Sequence, residues 1–289
     1  MALKTTSAVF PPELVAEMFN TVVGHSTIAK LSGAKPIPFA GEAVMTFTMP
    51  GEVSIVGEGE PKPPGEADFT PKTIRPIKMM YQHRLTNEFV YLAEEEQLPY
   101  LQAFADGFAK KMARGLDIAA MHGVNPADLT DASFKATNSF DGVISNKVTY
   151  DATKVDENID DAVALITGAE RTATGMALSP AAGSALAAIK VNGVVQYPEY
   201  RFGQNPDAFY GFKSDVNNTV SKVGNDQIIV GNFEEAFRWG YAKEIPLEVI
   251  EFGDPDGQGD LKRTNEIVLR SEAFIGWGIL DEDSFAIVE

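Results

Sequence analysis

Along residues 44–49 the chain alternates: Met45, Phe47 and Met49 fall on one face, Val44, Thr46 and Thr48 on the other. A period of two predicts a β-strand. Pro50-Gly51 interrupts it, and Val53 and Ile55 resume it. From Gly57 to Glu66 only glycine, glutamate, proline and lysine occur, so that stretch has no core-forming residue. A second alternating run sets Thr73, Arg75, Ile77, Met79 and Tyr81 against Lys72, Ile74, Lys78, Met80 and Gln82. Together the runs predict a long two-stranded excursion with a Pro/Gly tip. A lone two-stranded ribbon is marginal in water, so this arm is expected to lie on another surface, such as a neighbouring subunit.

After Thr86, an expected N-cap, the period becomes helical and strengthens from Glu94 to His122. Leu101, Phe104, Phe108, Met112, Leu116 and Ala119 form one stripe. Asp106, Lys110, Arg114 and Asp117 are expected elsewhere on the helix. Glu94, Glu95 and Glu96 suit the N-terminal end of the helix dipole, and Gly123 with Pro126 marks the stop. At about 1.5 Å per residue, Pro99 to His122 makes a rod of roughly 36 Å, long for an ordinary domain helix.

The remaining elements read more briefly. Pro11-Pro12 opens a short helix carrying Leu14, Val15, Met18, Phe19 and Val22. Ser32-Gly33, Pro36 and Pro38 then break the chain. Residues 125–150 read as a loop with short strands between Gly142 and Tyr150. Residues 151–240 read as an α/β insert. Its parts are a helix Asp156–Glu170 with Ile159, Val163 and Ile166 inward, a buried strand at Met176-Ala177-Leu178, and a helix Ala181–Lys190 capped by Ser179-Pro180. Short strands are expected at Phe209 to Phe212, Val216 and Ile228 to Val230. A helix-like piece with Phe233, Phe237 and Trp239 leads to a strand Ala242–Phe252, a polar Gly/Asp loop and a second strand Glu266–Ile279. That is a long hairpin closing the chain.

Composition narrows the function. The chain has 289 residues, 44% hydrophobic and 22% charged, which argues for a packed core and against disorder. It has no cysteine, which excludes disulfides, thiolate metal sites and a cysteine nucleophile. No apolar run approaches the roughly 18 residues needed to span a membrane. The net charge is −17, and no basic stripe suited to phosphate binding is present. Lys110, Lys111 and Arg114 are instead one polar helix face.

The chemistry that can be sought is weak. Asp254, Asp256, Gln258 and Asp260 around Gly259 resemble a calcium loop, but Asn265 stands where a bidentate carboxylate is needed, so a hairpin turn is the better reading. Gly57-Glu58-Gly59-Glu60-Pro61 lacks the glycines and following helix of a phosphate loop, and its acids repel phosphate. His25, His83 and His122 lie in three different elements without metal-ligand spacing. Gly183-Ser184 reads as helix packing, and Glu234-Glu235 and Asp160-Asp161 as solvated faces. No catalytic, cofactor-binding or metal-ligating residue is assigned.

The closing region resembles tailed-bacteriophage major capsid proteins of the Hong Kong 97-type fold. The matching positions are Gly231, Asn232, Phe233, Ala236 and Trp239; then Asn265, Val268, Leu269, Arg270, Glu272 and Gly276; then Asp283, Phe285, Ala286 and Ile287. Leu101 to Gly123 is similar to the family's long helix, and Met176 to Lys190 to its strand-and-helix. Tyr210-Gly211-Phe212 with Asp215 is similar to one of its strands. The order of parts carries the resemblance, since each motif alone is degenerate.

The resemblance implies an α+β Hong Kong 97-type capsid fold. Residues 1–40 would be an N-terminal arm, 41–86 an extended β-hairpin loop, and 87–150 a peripheral domain with the long spine helix. Residues 151–240 would be an axial α/β domain, 241–280 the peripheral β-hairpin, and 281–289 a strand returning to the axial domain. It implies a structural protein and no enzyme, with no cofactor. Copies would self-assemble into pentamers and hexamers of an icosahedral head enclosing double-stranded DNA without sequence-specific binding. The protein would belong to the virion, assemble in the host cytoplasm and touch no membrane. A separate scaffolding protein, a portal and a decoration protein are candidate partners. Because Met1 starts almost at the arm, a cleaved internal scaffold is not expected. An encapsulin-like nanocompartment shell is the alternative. A soluble α/β hydrolase or binding protein is a further one, without a catalytic constellation to support it. Some family members link an arm lysine to a neighbour's asparagine with the aid of a glutamate. Lys62, Lys72 and Lys78 are arm lysines here, but neither they nor Asn265 with Glu266 or Glu272 align with that triad.

Overall fold

The computed structural model describes residues 21–22, 25–49, 51–91, 94–242 and 247–289. The helix expected at Pro11 to Phe19 lies outside the described residues. The first complete helix described is α1 (Thr27–Leu31), which begins at Ser26, whose hydroxyl accepts from Ala29 N. Ile28 and Leu31 are buried, so this part of the expected arm contributes to the core.

Strand β1 (Glu42–Thr48) pairs antiparallel with β2 (Asp68–Ile74), with Phe47 opposite Phe69. Val53 and Ile55, expected to continue the alternation, lie in no strand. The second strand of the excursion is also shorter than expected. The chain leaves the hairpin at Arg75-Pro76, where proline cannot donate to a ladder. It then enters β3 (Ile77–Thr86), which belongs to a different sheet. The long helix α2 (Glu94–His122) has the bounds its periodicity gave. Asp117, expected away from the apolar stripe, is fully buried, because the helix from Gly115 to His122 is enclosed on all sides. Two short helices, α3 (Lys135–Asn138) and α4 (Phe140–Val143), precede strand β4 (Lys147–Val148), where only a loop and short strands were expected.

Next come α5 (Val155–Gly168), β5 (Gly175–Leu178) and α6 (Pro180–Ala188). The Ser179 hydroxyl caps α6 by accepting from Ala182 N at 3.0 Å. A small hairpin, β6 (Lys190–Val191) with β7 (Val194–Val195), and strands β8 (Ala208–Phe209), β9 (Phe212–Val216) and β10 (Ile228–Gly231) follow. The helix-like piece expected around Phe237 and Trp239 is in fact strand β11 (Phe237–Tyr241). β12 (Leu247–Ile250), helix α7 (Leu261–Thr264), β13 (Glu266–Ile279) and β14 (Phe285–Val288) complete the chain.

Two sheets organise these elements. In one, β13 is central, with β3 along one edge and β11 and β12 along the other. The other has the order β4-β14-β10-β5-β9-β8, so the last strand in sequence lies inside the sheet. The period of two in this sheet feeds two cores. Ala177, Ile229, Phe285 and Ile287 join the core under the long helix. Met176, Leu178, Ile228, Val230, Ala286 and Val288 join the core beneath α5 and α6. Two glycines let the layers close. A Cβ on Gly231 would meet the Phe285 ring at 2.1 Å, and one on Gly240 would meet Lys35 O at 1.7 Å.

Candidate functional site

The β1–β2 hairpin is amphipathic in the unusual direction. Opposed residues of an antiparallel pair project on one face, so Met45, Phe47, Phe69 and Pro71 share a face. Phe47 and Phe69 pack with ring centroids 4.8 Å apart. Yet Phe47 is 51% and Phe69 65% exposed, and Val53 and Ile55 beyond them are almost fully exposed. The other face carries Val44, Thr46, Thr70 and Lys72 toward the subunit's own body, where Lys72 Nζ meets Glu282 Oε1 at 2.7 Å. That face borders a cleft of about 740 Å³ that Arg171 and Asp281 also line. The hairpin thus turns Val44, Thr46, Thr70 and Lys72 inward and leaves its two phenyl rings more than half open to water, an exposed apolar patch of the kind found at interaction sites.

A second polar assembly lies inside, where α1, the end of α2 and the loop before β10 meet. The Asp117 carboxylate receives Ser26 Oγ at 2.6 Å, Thr27 N at 3.0 Å, Ile28 N at 3.2 Å and Thr219 Oγ1 at 3.1 Å. Burial raises its pKa to about 6, against the four donors. Asp215 accepts from Thr27 Oγ1, Lys30 Nζ and Asn205 Nδ2. His122, the last residue of α2, places Nε2 2.9 Å from Thr219 O. Its Nδ1 lies 3.0 Å from Asp141 Oδ2 and 3.5 Å from Asp226 Oδ2. Burial, then the neighbouring Asp141, pushes Asp226 up to about 8. Asp141 and Asp226 did not stand out in the sequence, and Asp117 and Asp215 were noted only for their place in a helix and a strand motif, because each looks like an ordinary acid until the fold brings the segments together.

The Asp254–Asp260 loop is held by an arginine. Arg84 donates to Asp256 Oδ2 through Nε and to Glu266 Oε2 through Nη1, both at 2.8 Å, and to Gly259 O. Arg84 lowers the Asp256 pKa to about 2. Arg84 thus neutralises Asp256, one of the carboxylates the calcium reading would need. The three histidines are not brought together: His122 is buried at the joint, His25 is exposed beside it, and His83 is on β3. Gly183 packs on Val216, as expected of a helix contact.

Neither a family model nor a curated protein sequence matches the chain. Solved structures do. A chain of Mycobacterium phage Ogopogo is 33% identical over 91% of both chains, with a TM-score of 0.79. The chain belongs to the bacteriophage major capsid proteins. A chain of Gordonia phage Cozz is 25% identical over 91% of this chain and 85% of that one, with a TM-score of 0.73. The capsid of a native GTA particle computed with C5 symmetry shares the fold at 11% identity, with a TM-score of 0.63, covering 100% of this chain and 93% of that one.

In a capsid subunit the working site is a surface that meets other copies, and the exposed rings of the hairpin make it the candidate. Of the arm lysines, Lys72 of the hairpin pairs with Glu282 and Lys78 of β3 with Glu272 within the subunit, while Lys62 sits in the exposed tip. Among the described residues, no helix is long and apolar enough to cross a membrane.

Proposed function

We propose that this capsid protein self-assembles into pentamers and hexamers of a closed icosahedral head enclosing double-stranded DNA, on the Hong Kong 97-type plan. In that plan the hairpin is the extended loop and α2 the spine. The six-stranded sheet with α5 and α6 is the axial domain, and the β13 sheet the peripheral one. The observation that carries the reading is the inverted hairpin. Its rings are exposed in one copy, and a second copy supplies the cover they lack. Closed shells need heterologous contacts that return on themselves, which an elongated subunit with a projecting hairpin can make. With a charge of −17, the wall would hold DNA by enclosure and not by phosphate neutralisation. The subunit would act as a structural virion protein assembled in the host cytoplasm, with scaffolding, portal and decoration proteins as candidate partners.

Negative-stain microscopy of the purified protein, alone and co-expressed with its neighbouring genes, tests this directly. Closed shells are expected, and a strict monomer under every condition would overturn the reading. An enzyme cargo in place of DNA would move it to an encapsulin-like compartment. Replacing residues 49–67, which link the paired Thr48 and Asp68, by an Asn-Gly turn, which suits a tight hairpin, separates assembly from folding. Circular dichroism and cooperative melting of the subunit should persist while shell yield falls. A variant that forms normal shells of unchanged stability would remove the hairpin tip from the interface.

A further inference from the structure

The His122–Asp141–Asp226 cluster joins three segments distant in sequence: the end of α2, the first turn of α4, and the loop into β10. His122 is fully buried and Asp226 is 3% exposed. Thr219 O can only accept, so the 2.9 Å contact from His122 Nε2 fixes the proton on that nitrogen. In the neutral ring, Nδ1 then directs its lone pair at two carboxylates. Asp226 Oδ2 and Asp141 Oδ1 are buried, and while both acids are ionised no donor reaches either oxygen within hydrogen-bond distance. Three electron-rich atoms facing one another in a buried place require positive charge between them. One proton on Nδ1, 3.0 Å from Asp141, together with one shared between Asp226 and Asp141 would supply that charge, so two protons are the alternative to a single ion.

We propose that His122 Nδ1, Asp141 and Asp226 bind one divalent transition-metal ion, of which Zn²⁺ is the best match, clipping the end of the spine helix to the loop that feeds the six-stranded sheet. Two carboxylates cancel the charge of the ion, so the closed site is neutral. An imidazole nitrogen with two carboxylates suits zinc or manganese, whereas magnesium and calcium prefer all-oxygen sets. Bonds of about 2.0–2.1 Å in a tetrahedral zinc site put ligand atoms about 3.3 Å apart. The spacings of 3.0 and 3.5 Å from Nδ1 bracket that value, and all three ligand atoms lie within 4.8 Å of one another. The buried Asp141 Oδ1 gives the ion a further oxygen. The Nε2 bond to Thr219 O is the outer contact that orients a metal-binding histidine. Because Thr219 Oγ1 also holds Asp117, the ion would tie both halves of the joint together.

The test uses the full chain, unfolded with EDTA, freed of chelator and refolded with ZnCl₂ or MgCl₂ near neutral pH. Calorimetry and thermal melting should show one zinc per subunit and a raised melting midpoint, with no response to magnesium. Asp226→Asn and Asp141→Asn keep side-chain shape, and each should weaken zinc binding by at least about 10- to 100-fold, the loss typical even of an outer-shell partner. Co²⁺ in the unaltered chain should give the visible absorption of a tetrahedral nitrogen and oxygen site, a readout that does not depend on the variants folding. No zinc binding and no cobalt spectrum would overturn the proposal, leaving protons as the compensating charge. So would zinc affinity unchanged in both variants, which would place the ion elsewhere on the acidic surface.

Discussion

Strand β14 and the β1–β2 hairpin use similar residues in opposite directions. In β14, Phe285 and Ile287 enter one core and Ala286 and Val288 the other, and all four are buried. In the hairpin, Met45, Phe47 and Phe69 alternate just as regularly but toward water, and the face turned to the body carries Thr46, Thr70 and Lys72. The same period of two therefore encodes folding in one place and, on the proposed reading, association in the other. What separates them is the side on which the rest of the subunit lies. β14 sits between β4 and β10, whereas the hairpin forms a two-stranded sheet of its own, with Met45, Phe47 and Phe69 more than half exposed.

Truncating one ring in each region should split stability from assembly. Phe285 touches Phe140 and Phe233, with centroids 5.0 and 5.3 Å away. Phe285→Ala should cost the isolated subunit about 3–5 kcal/mol in urea denaturation. Phe47→Ala should stay within about 0.5 kcal/mol there, as exposed substitutions do, yet lower shell yield. Equal losses in the isolated subunit would break the comparison, because Phe47 would then be a folding residue.

The buried polar joint sharpens the folding side. Asp117 has a folded-state pKa of about 6 against an ordinary 3.8. Between those values the folded chain binds more protons than the unfolded one, so the contribution of Asp117 to stability falls as pH rises through the window and is level above it. A shift of this size corresponds to on the order of 3 kcal/mol. In Asp117→Asn the amide nitrogen would face a backbone N–H of Thr27 or Ile28, a mispairing worth about 1–3 kcal/mol. The deficit of the variant relative to the parent should be largest below the window and shrink by about 3 kcal/mol above it. A pH-independent deficit in paired urea titrations would show that Asp117 does not titrate there.

How much of this was legible follows from range. Strand β13 and helix α2 carry their own periodicity over many residues, so their bounds could be read directly. The Ser179-Pro180 start of α6 is a local signal and was equally plain. The break at Pro76 was harder, because alternation continues across it while the pairing partner changes from β1 to β13. Asp117 was misplaced because helical spacing assumes one wet face, and α2 loses its wet face once it passes beneath α1 and Thr219. Thr27, Asp141, Asp215 and Asp226 gain meaning only through contacts made across the chain. The one available local hint was the Ser26 cap ahead of Ile28 and Leu31, which marks α1.

The assembly side can be sharpened through covalent chemistry, with the smallest expected change. An isopeptide link would fix the hairpin to its neighbour and make the apolar face a guide to a permanent bond. The geometry argues otherwise. Lys72 reaches Glu282 at 2.7 Å and Lys78 reaches Glu272 at 2.6 Å, both within one subunit. Asn265 ends α7 in a left-handed conformation, and its backbone carbonyl accepts from Asn87 N. On the proposed reading, holding the hairpin is then left to burial of Met45, Phe47 and Phe69 against a neighbour, which is reversible. Mature particles boiled in SDS should run as a single band at the subunit mass, and Lys62→Ala, Lys72→Ala and Lys78→Ala should leave that pattern unchanged. A ladder of covalent multimers would overturn this, and loss of the ladder in Lys62→Ala alone would place the bond at the exposed tip.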